Sequence, residues 1–279
     1  QDARVGLLFD WENWWAIDYS VGPTKDLDYV ATCKKHYAAL WDANIAVDVV
    51  RPEADLSKYD LVIAPMLYML RPGVAAHLTR YVREGGTLLV SYFSGIVDEN
   101  DLATLDGYPG ELREVLGIWV EEHDPMLQGQ TVTVQAERWG RVQGSYTAGV
   151  LCDLLHLEGA EARASYASEF YAGRPVITEN RYGEGKALYL AADVDAALMR
   201  DLLLTLCDEK GIHAPLSASE GVEVTQRSTD GRDFMFILNH GAEAATAVLP
   251  YACRDLLTGR ELAGRVALAP REVLIVEKI

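Results

Sequence analysis

The chain has 279 residues, 49% of them hydrophobic, and a formal net charge of −17. This composition supports a sizeable core in one large domain or two, and it excludes a disordered chain. So acidic a surface repels phosphate backbones and anionic lipid, and no apolar run reaches the roughly 18 residues of a membrane span, so neither nucleic acid nor membrane is an expected partner.

Val5-Gly6-Leu7-Leu8-Phe9 reads as a buried strand spanning residues 5–10. It exits into Asp10, Trp11, Glu12, Asn13, Trp14 and Trp15, which hold half of the six tryptophans. A helix is expected at 24–43, with Thr24 as its N-cap and Leu27, Val30, Tyr37, Leu40 and Trp41 on one face. Strands follow at 45–50 and 61–65, then a helix at 72–84 closed by Gly85-Gly86, then a strand at 87–93 apolar enough for burial on both faces. This alternation predicts βαβ units and a mostly parallel, doubly wound sheet, an α/β fold. A loop at 94–109 and a short helix at 110–116 precede strand-like segments filling 118–191, and a helix at 195–210 carries Leu198, Leu202, Leu203 and Leu206 as one stripe.

After Gly211 the pattern shortens to β-type runs. Val222–Arg227 and Phe234–Leu238 flank Thr229-Asp230-Gly231-Arg232, a hairpin signature, so a small antiparallel β domain closes the chain. The expected division is 1–213 and 214–279. Cys33, Cys152, Cys207 and Cys253 form no CxxC and read as buried free thiols. The start at Gln-Asp-Ala-Arg, without methionine and directly before a core strand, reads as a piece of something longer.

Asp10 and Glu12 could form a carboxylate pair if the first strand continued, and the carboxyl end of such a strand is where open α/β sheets place ligands. A nucleophile elbow would fall at Val90-Ser91-Tyr92-Phe93-Ser94-Gly95, where the residues around Ser94 are wrong for the motif and no cysteine is present. Gly183-Glu184-Gly185-Lys186 lacks the first glycine and the final hydroxyl residue of a phosphate loop, and Asp98-Glu99-Asn100-Asp101 lacks calcium-loop spacing. Histidines at metal-ligand spacing are absent, so neither metal nor cofactor is expected. The aromatic and polar material at the strand ends, including Tyr92 and Phe93, fits an interface core, a sugar platform or a filled core under a loop.

Several stretches together resemble the middle domain of the glycoside hydrolase family 42 β-galactosidases: "FDWENWWA" (9–16), "KDLDYV" (25–30), "VIAPMLYML" (62–70), "GGTLLVSYFSGIVDEND" (85–101), "GYPGELREVLGIWVEE" (107–122) and "NRYGEGKALYLAADVD" (180–195). "STDGRDFMFILNH", "DLLTG" and "LAPREVLIVE" are similar to that family's C-terminal β domain. The resemblance implies a flavodoxin-like sheet, related to class I glutamine amidotransferases, that drives trimer formation. It also implies a separate catalytic barrel carrying both catalytic glutamates. No residue of this chain matches those glutamates, so no catalytic role carries over.

Under this reading Asp10, Trp11, Glu12, Asn13, Trp14, Trp15, Tyr92 and Phe93 are candidates for a subunit contact or the wall of a neighbouring galactoside pocket. The partners it implies are the chain's own barrel and homotrimer neighbours, with a cytoplasmic location. Two alternatives are an amidotransferase-like hydrolase acting alone and a stand-alone carbohydrate-binding module.

Overall fold

The computed structural model describes residues 2–20, 22–105 and 107–279. Gln1, in the start read as a cut, and Asp106, in the loop expected at 94–109, lie outside the described residues. In chain order come β1 (Val5–Leu8), α1 (Trp11–Tyr19), α2 (Tyr29–Trp41), β2 (Val47–Val50), β3 (Leu61–Ala64), α3 (Val74–Arg83) and β4 (Thr87–Ser91). A 3-10 turn (Gly110–Leu112) and α4 (Arg113–Leu116) lead to β5 (Ile118–Pro125), β6 (Val132–Trp139), β7 (Val142–Leu157), β8 (Glu161–Tyr166), β9 (Pro175–Tyr182), β10 (Gly185–Leu190) and β11 (Ala192–Val194). Then come α5 (Ala196–Glu209), β12 (Ser217–Ala218), β13 (Val222–Thr229), β14 (Arg232–Asn239), β15 (Ala245–Asp255), β16 (Glu261–Leu268) and β17 (Val273–Lys278).

The chain forms two compact units. One comprises Val5–Tyr37 and Asp48–Lys210; the other comprises residues 2–4, Ala38–Val47 and Gly211–Ile279.

The larger unit overturns the expected mostly parallel, doubly wound α/β fold. The chain is 43% strand and 19% helix, and its main sheet has 11 strands of mixed direction. Their order is β11-β7-β6-β8-β9-β10-β4-β3-β1-β2, with β5 also on β7. β1 pairs in parallel with β3, β3 with β4, and β4 with β10. Beyond β10 the ladders to β9, β8, β6, β7, β5 and β11 are all antiparallel. The cause is connectivity. Parallel neighbours need a crossover of a dozen or more residues, and no helix interrupts the run from β5 to β10. Strands joined there by turns fold back on one another. β6 accordingly buries Val132, Val134 and Ala136 while the residues between them face outward.

Element ends also differ from expectation. α2 starts at Tyr29, because Asp28 Oδ1 accepts from the Ala31 amide at 2.8 Å; Thr24 instead accepts from Asp26 N in the turn before it. β4 ends at Ser91, and Phe93 turns to φ +57. α5 follows the expected span, with Asp195 as N-cap and Leu198, Leu202, Leu203 and Leu206 buried.

In the smaller unit the order is β12-β15-β17-β14-β13, with β16 on β15, around a core including Met235, Ile237, Leu268 and Val276. Asp230 (φ +49) and Gly231 (φ +75) turn the β13–β14 hairpin, the left-handed pair a two-residue turn requires. Asn44 brackets the edge of β13, accepting from Val224 N at 2.7 Å and donating to Val222 O at 3.1 Å.

Candidate functional site at the end of the first strand

β1 does not continue past Leu8, so Asp10 and Glu12 do not share a strand face. Asp10 is the N-cap of α1: its backbone is extended (φ −132) and its Oδ1 accepts from Glu12 N at 3.0 Å. Its own amide donates to the Tyr29 hydroxyl at 3.0 Å. Arg71, beyond β3, then gathers three carboxylates: Nη2 lies 2.8 Å from Asp10 Oδ2 and 2.5 Å from Glu53 Oε1, and Nη1 lies 3.2 Å from Glu12 Oε2. Burial pushes the Asp10 carboxyl above the usual carboxylate range, against the opposing pull of Arg71. A glycosidase pair needs space between its carboxyls for a sugar ring or for water. Here a guanidinium bridges Asp10 and Glu12.

Asn13 is fully buried and acts as a bracket. Its Nδ2 donates to Met66 O and its Oδ1 accepts from Met69 N, both at 2.8 Å, which fixes the turn after β3. Trp14 is half-buried and packs on the core, with its ring 6.3 Å from Phe9 and 5.4 Å from Trp11. Trp11, Trp15 and Tyr19 are 57%, 54% and 87% exposed. Spaced four apart, they form one outward stripe, while Ala16 and Ile17 are buried. The Trp11 and Trp15 rings are 6.5 Å apart and inclined by 48°, so they make no flat platform.

Tyr92 and Phe93 are buried in the same apolar cluster as Ala16 and Ile17, with Phe9 and Trp14 packed against it. The Tyr92 hydroxyl meets Thr32 Oγ1 at 3.3 Å, and Phe93 stacks on Tyr68 at 5.0 Å. The eight candidates thus divide into an exposed stripe, a carboxylate cluster and a supporting bed.

At the elbow position Ser94 is fully buried. Its Oγ donates to Ser91 O at 2.7 Å and accepts from Leu67 N at 2.8 Å, and the structure shows no histidine bonded to it. Lys186, the end of the phosphate-loop look-alike, pairs with Glu179 and Glu209 beside the β9–β10 turn. Asp98 accepts from the Asn100 and Leu102 amides and closes its own loop. All four cysteines are buried, and none is in a disulfide. Among the described residues no cluster of His, Cys, Asp or Glu is arranged to hold a metal ion, and no helix is long and apolar enough to cross a membrane.

Sequence reasoning missed Arg71 and Glu53, because no spacing signal ties a lone arginine before Pro72-Gly73 to a carboxylate 61 residues earlier. It also missed a buried network around Asp153, which joins His123, Tyr189 and the Phe93 amide.

Residues 3–213 match the β-galactosidase trimerisation domain and residues 221–278 the β-galactosidase C-terminal domain. β-Galactosidase BgaA of Planococcus sp. (strain 'SOS Orange') is 47% identical over 100% of this chain and 41% of its own length. β-Galactosidase Pbg of Clostridium perfringens is 39% identical over 99% of this chain and 41% of its own length. The crystal structure of a β-galactosidase from Bacillus circulans sp. alkalophilus superposes with a TM-score of 0.97 at 44% identity, over 100% of this chain and 42% of that one. The chain therefore spans about two fifths of the length of these curated relatives. Its two matched regions lie end to end along nearly the whole sequence, and on that ground the chain belongs to the glycoside hydrolase family 42 β-galactosidases, of which it carries the trimerisation and C-terminal domains, the non-catalytic region.

Proposed function

We propose that the α1 rim is the surface through which this region holds a neighbouring subunit, in a homotrimer whose intact chain hydrolyses terminal β-D-galactosides with retention. The catalytic carboxylates belong to a barrel in the part of the relatives' length that this chain does not span. The assembly domain is residues 1–213 and the β domain residues 214–279, and the enzyme works in the cytoplasm.

The observation that carries this reading is the contrast on α1. Asp10 and Glu12 are engaged by Arg71, whereas Trp11, Trp15 and Tyr19 stand largely in solvent. Exposed tryptophan and tyrosine rings suit the core of a protein contact, since they bury large area and keep a polar handle. Some of these rings, Trp11 foremost, close the wall of the neighbour's galactoside pocket.

Light scattering tests the assembly. The expected mass is that of three copies, falling towards one copy in the double variant W11A/W15A. A monomeric parent chain, or a variant of unchanged mass, overturns the assignment. Incubation of the chain with a chromogenic β-galactoside should give no turnover; turnover abolished by E12Q would place the chemistry here instead.

A further inference from the structure

Phe93 adopts φ +57, a left-handed conformation that bulky residues rarely take and keep only where their surroundings impose it. Asp153 supplies the constraint. Its carboxylate is fully buried. Oδ2 accepts from the Phe93 amide at 3.0 Å and from the Tyr189 hydroxyl at 2.6 Å, and Oδ1 accepts from His123 Nδ1 at 2.6 Å. The His123 ring also meets the Phe93 ring edge-on at 5.5 Å, and Phe93 stacks on Tyr68 at 5.0 Å. Tyr68 and Phe93 share an apolar cluster with Ala16 and Ile17, with Trp14 packed against it, so Phe93 links the network to the bed of α1.

Four groups face His123: Asp153 on β7, Tyr189 on β10 through the shared carboxylate, Tyr108 with its ring 5.2 Å away, and Glu122 on its own strand. His123 is the one of these able to carry positive charge. Its Nε2 is buried without a hydrogen-bond partner, while Nδ1–H is held by Asp153, so the proton that leaves is the one on Nε2.

We propose that His123 is a protonation-sensitive positioning residue: as imidazolium it balances the buried Asp153 charge and locks the left-handed Phe93, and on losing its proton it loosens Phe93 and the Tyr68 stack beneath the rim. Burial pulls the imidazole down, but the charge and hydrogen bond of Asp153 outweigh it, with Glu122 adding, and the net direction is upward from the ordinary 6.5. The lock is therefore closed at mildly acidic pH and opens as pH rises past that raised value. This goes beyond the assembly reading and does not rest on it.

The test is NMR of the full 279-residue chain, isotope-labelled, from about pH 5.5 to 9, following the His123 ring and the Phe93 amide. The two should titrate together, with a midpoint above 6.5. H123Q should abolish the Phe93 titration. A Phe93 amide that stays flat while His123 titrates, or one that titrates unchanged in H123Q, overturns the proposal. If H123Q fails to fold, the paired titrations of the parent chain decide alone.

Discussion

Arg71 Nη2 lies 2.8 Å from Asp10 Oδ2, and the Asp10 side chain is only 6% exposed. Removing the guanidinium leaves a nearly buried carboxylate without its counter-ion. R71M should lose about 3 kcal/mol at neutral pH, as for breaking a buried pair from one side. The sign of the pH dependence follows from the raised Asp10 carboxyl, whose stabilising contribution is present at acid pH and lost as pH rises through the folded value. Without Arg71 that value rises further, so the deficit of R71M should shrink below about pH 5. Urea unfolding of both proteins at several pH values measures it.

Asn13 should be far more costly to truncate than its exposed neighbour Trp15, although it sits among three tryptophans. N13A strands Met69 N in a buried turn, while Met66 O keeps its bond from the Tyr68 amide at 2.7 Å, and one unsatisfied group predicts a loss of about 1–3 kcal/mol. W15A, more than half exposed, should change stability by less than about 1 kcal/mol. Thermal unfolding of the two variants, side by side, gives the comparison.

Gly95 and Gly129 both have positive φ, +67 and +81, yet their surroundings differ. A Cβ at 95 would overlap the Pro109 carbonyl, whereas a Cβ at 129 meets open space. G129A should therefore cost only the conformational term, about 1 kcal/mol. G95A adds a backbone clash and should cost about 3 kcal/mol or more, read as a drop in denaturant midpoint.

Glu179 is a source of acid sensitivity. Desolvation pushes its carboxyl up, but hydrogen bonds from Lys186 (2.7 Å) and Arg163 (2.8 Å) carry it below the ordinary 4.5. A lowered carboxyl contributes stability above its unfolded value, which is lost as pH falls through the folded one. E179Q should be less stable than the parent at pH 7 and should lose less on acidification below about pH 4.5. Melting temperatures across that range report the difference.

What could be read in the sequence was what neighbouring residues encode. The leucine stripe of α5, the glycine stop after α3 and the Asp230-Gly231 turn each act within a few residues, and each is where the spacing placed it. α1 was hidden because its aromatic residues lie on both its buried and its exposed sides, and because Asp10 reads equally as an acid and as a cap. Strand direction was misjudged for a different reason. A strand's composition reports burial, while its orientation depends on the connection that follows, and β5 to β10 are joined without helices. The bonds of Arg71, Asp153 and Asn44 join residues far apart in sequence and leave no periodic trace.

β10 is the seam of the larger unit. Its residues 187–190 are completely buried, and one backbone carries the slanted ladder of β4 on one side and the perpendicular ladder of β9 on the other. A charge or proline introduced there would unfasten both ladders together. The two halves would then each present a raw strand edge to solvent, and self-association through those edges, more than simple unfolding, is the failure this architecture invites.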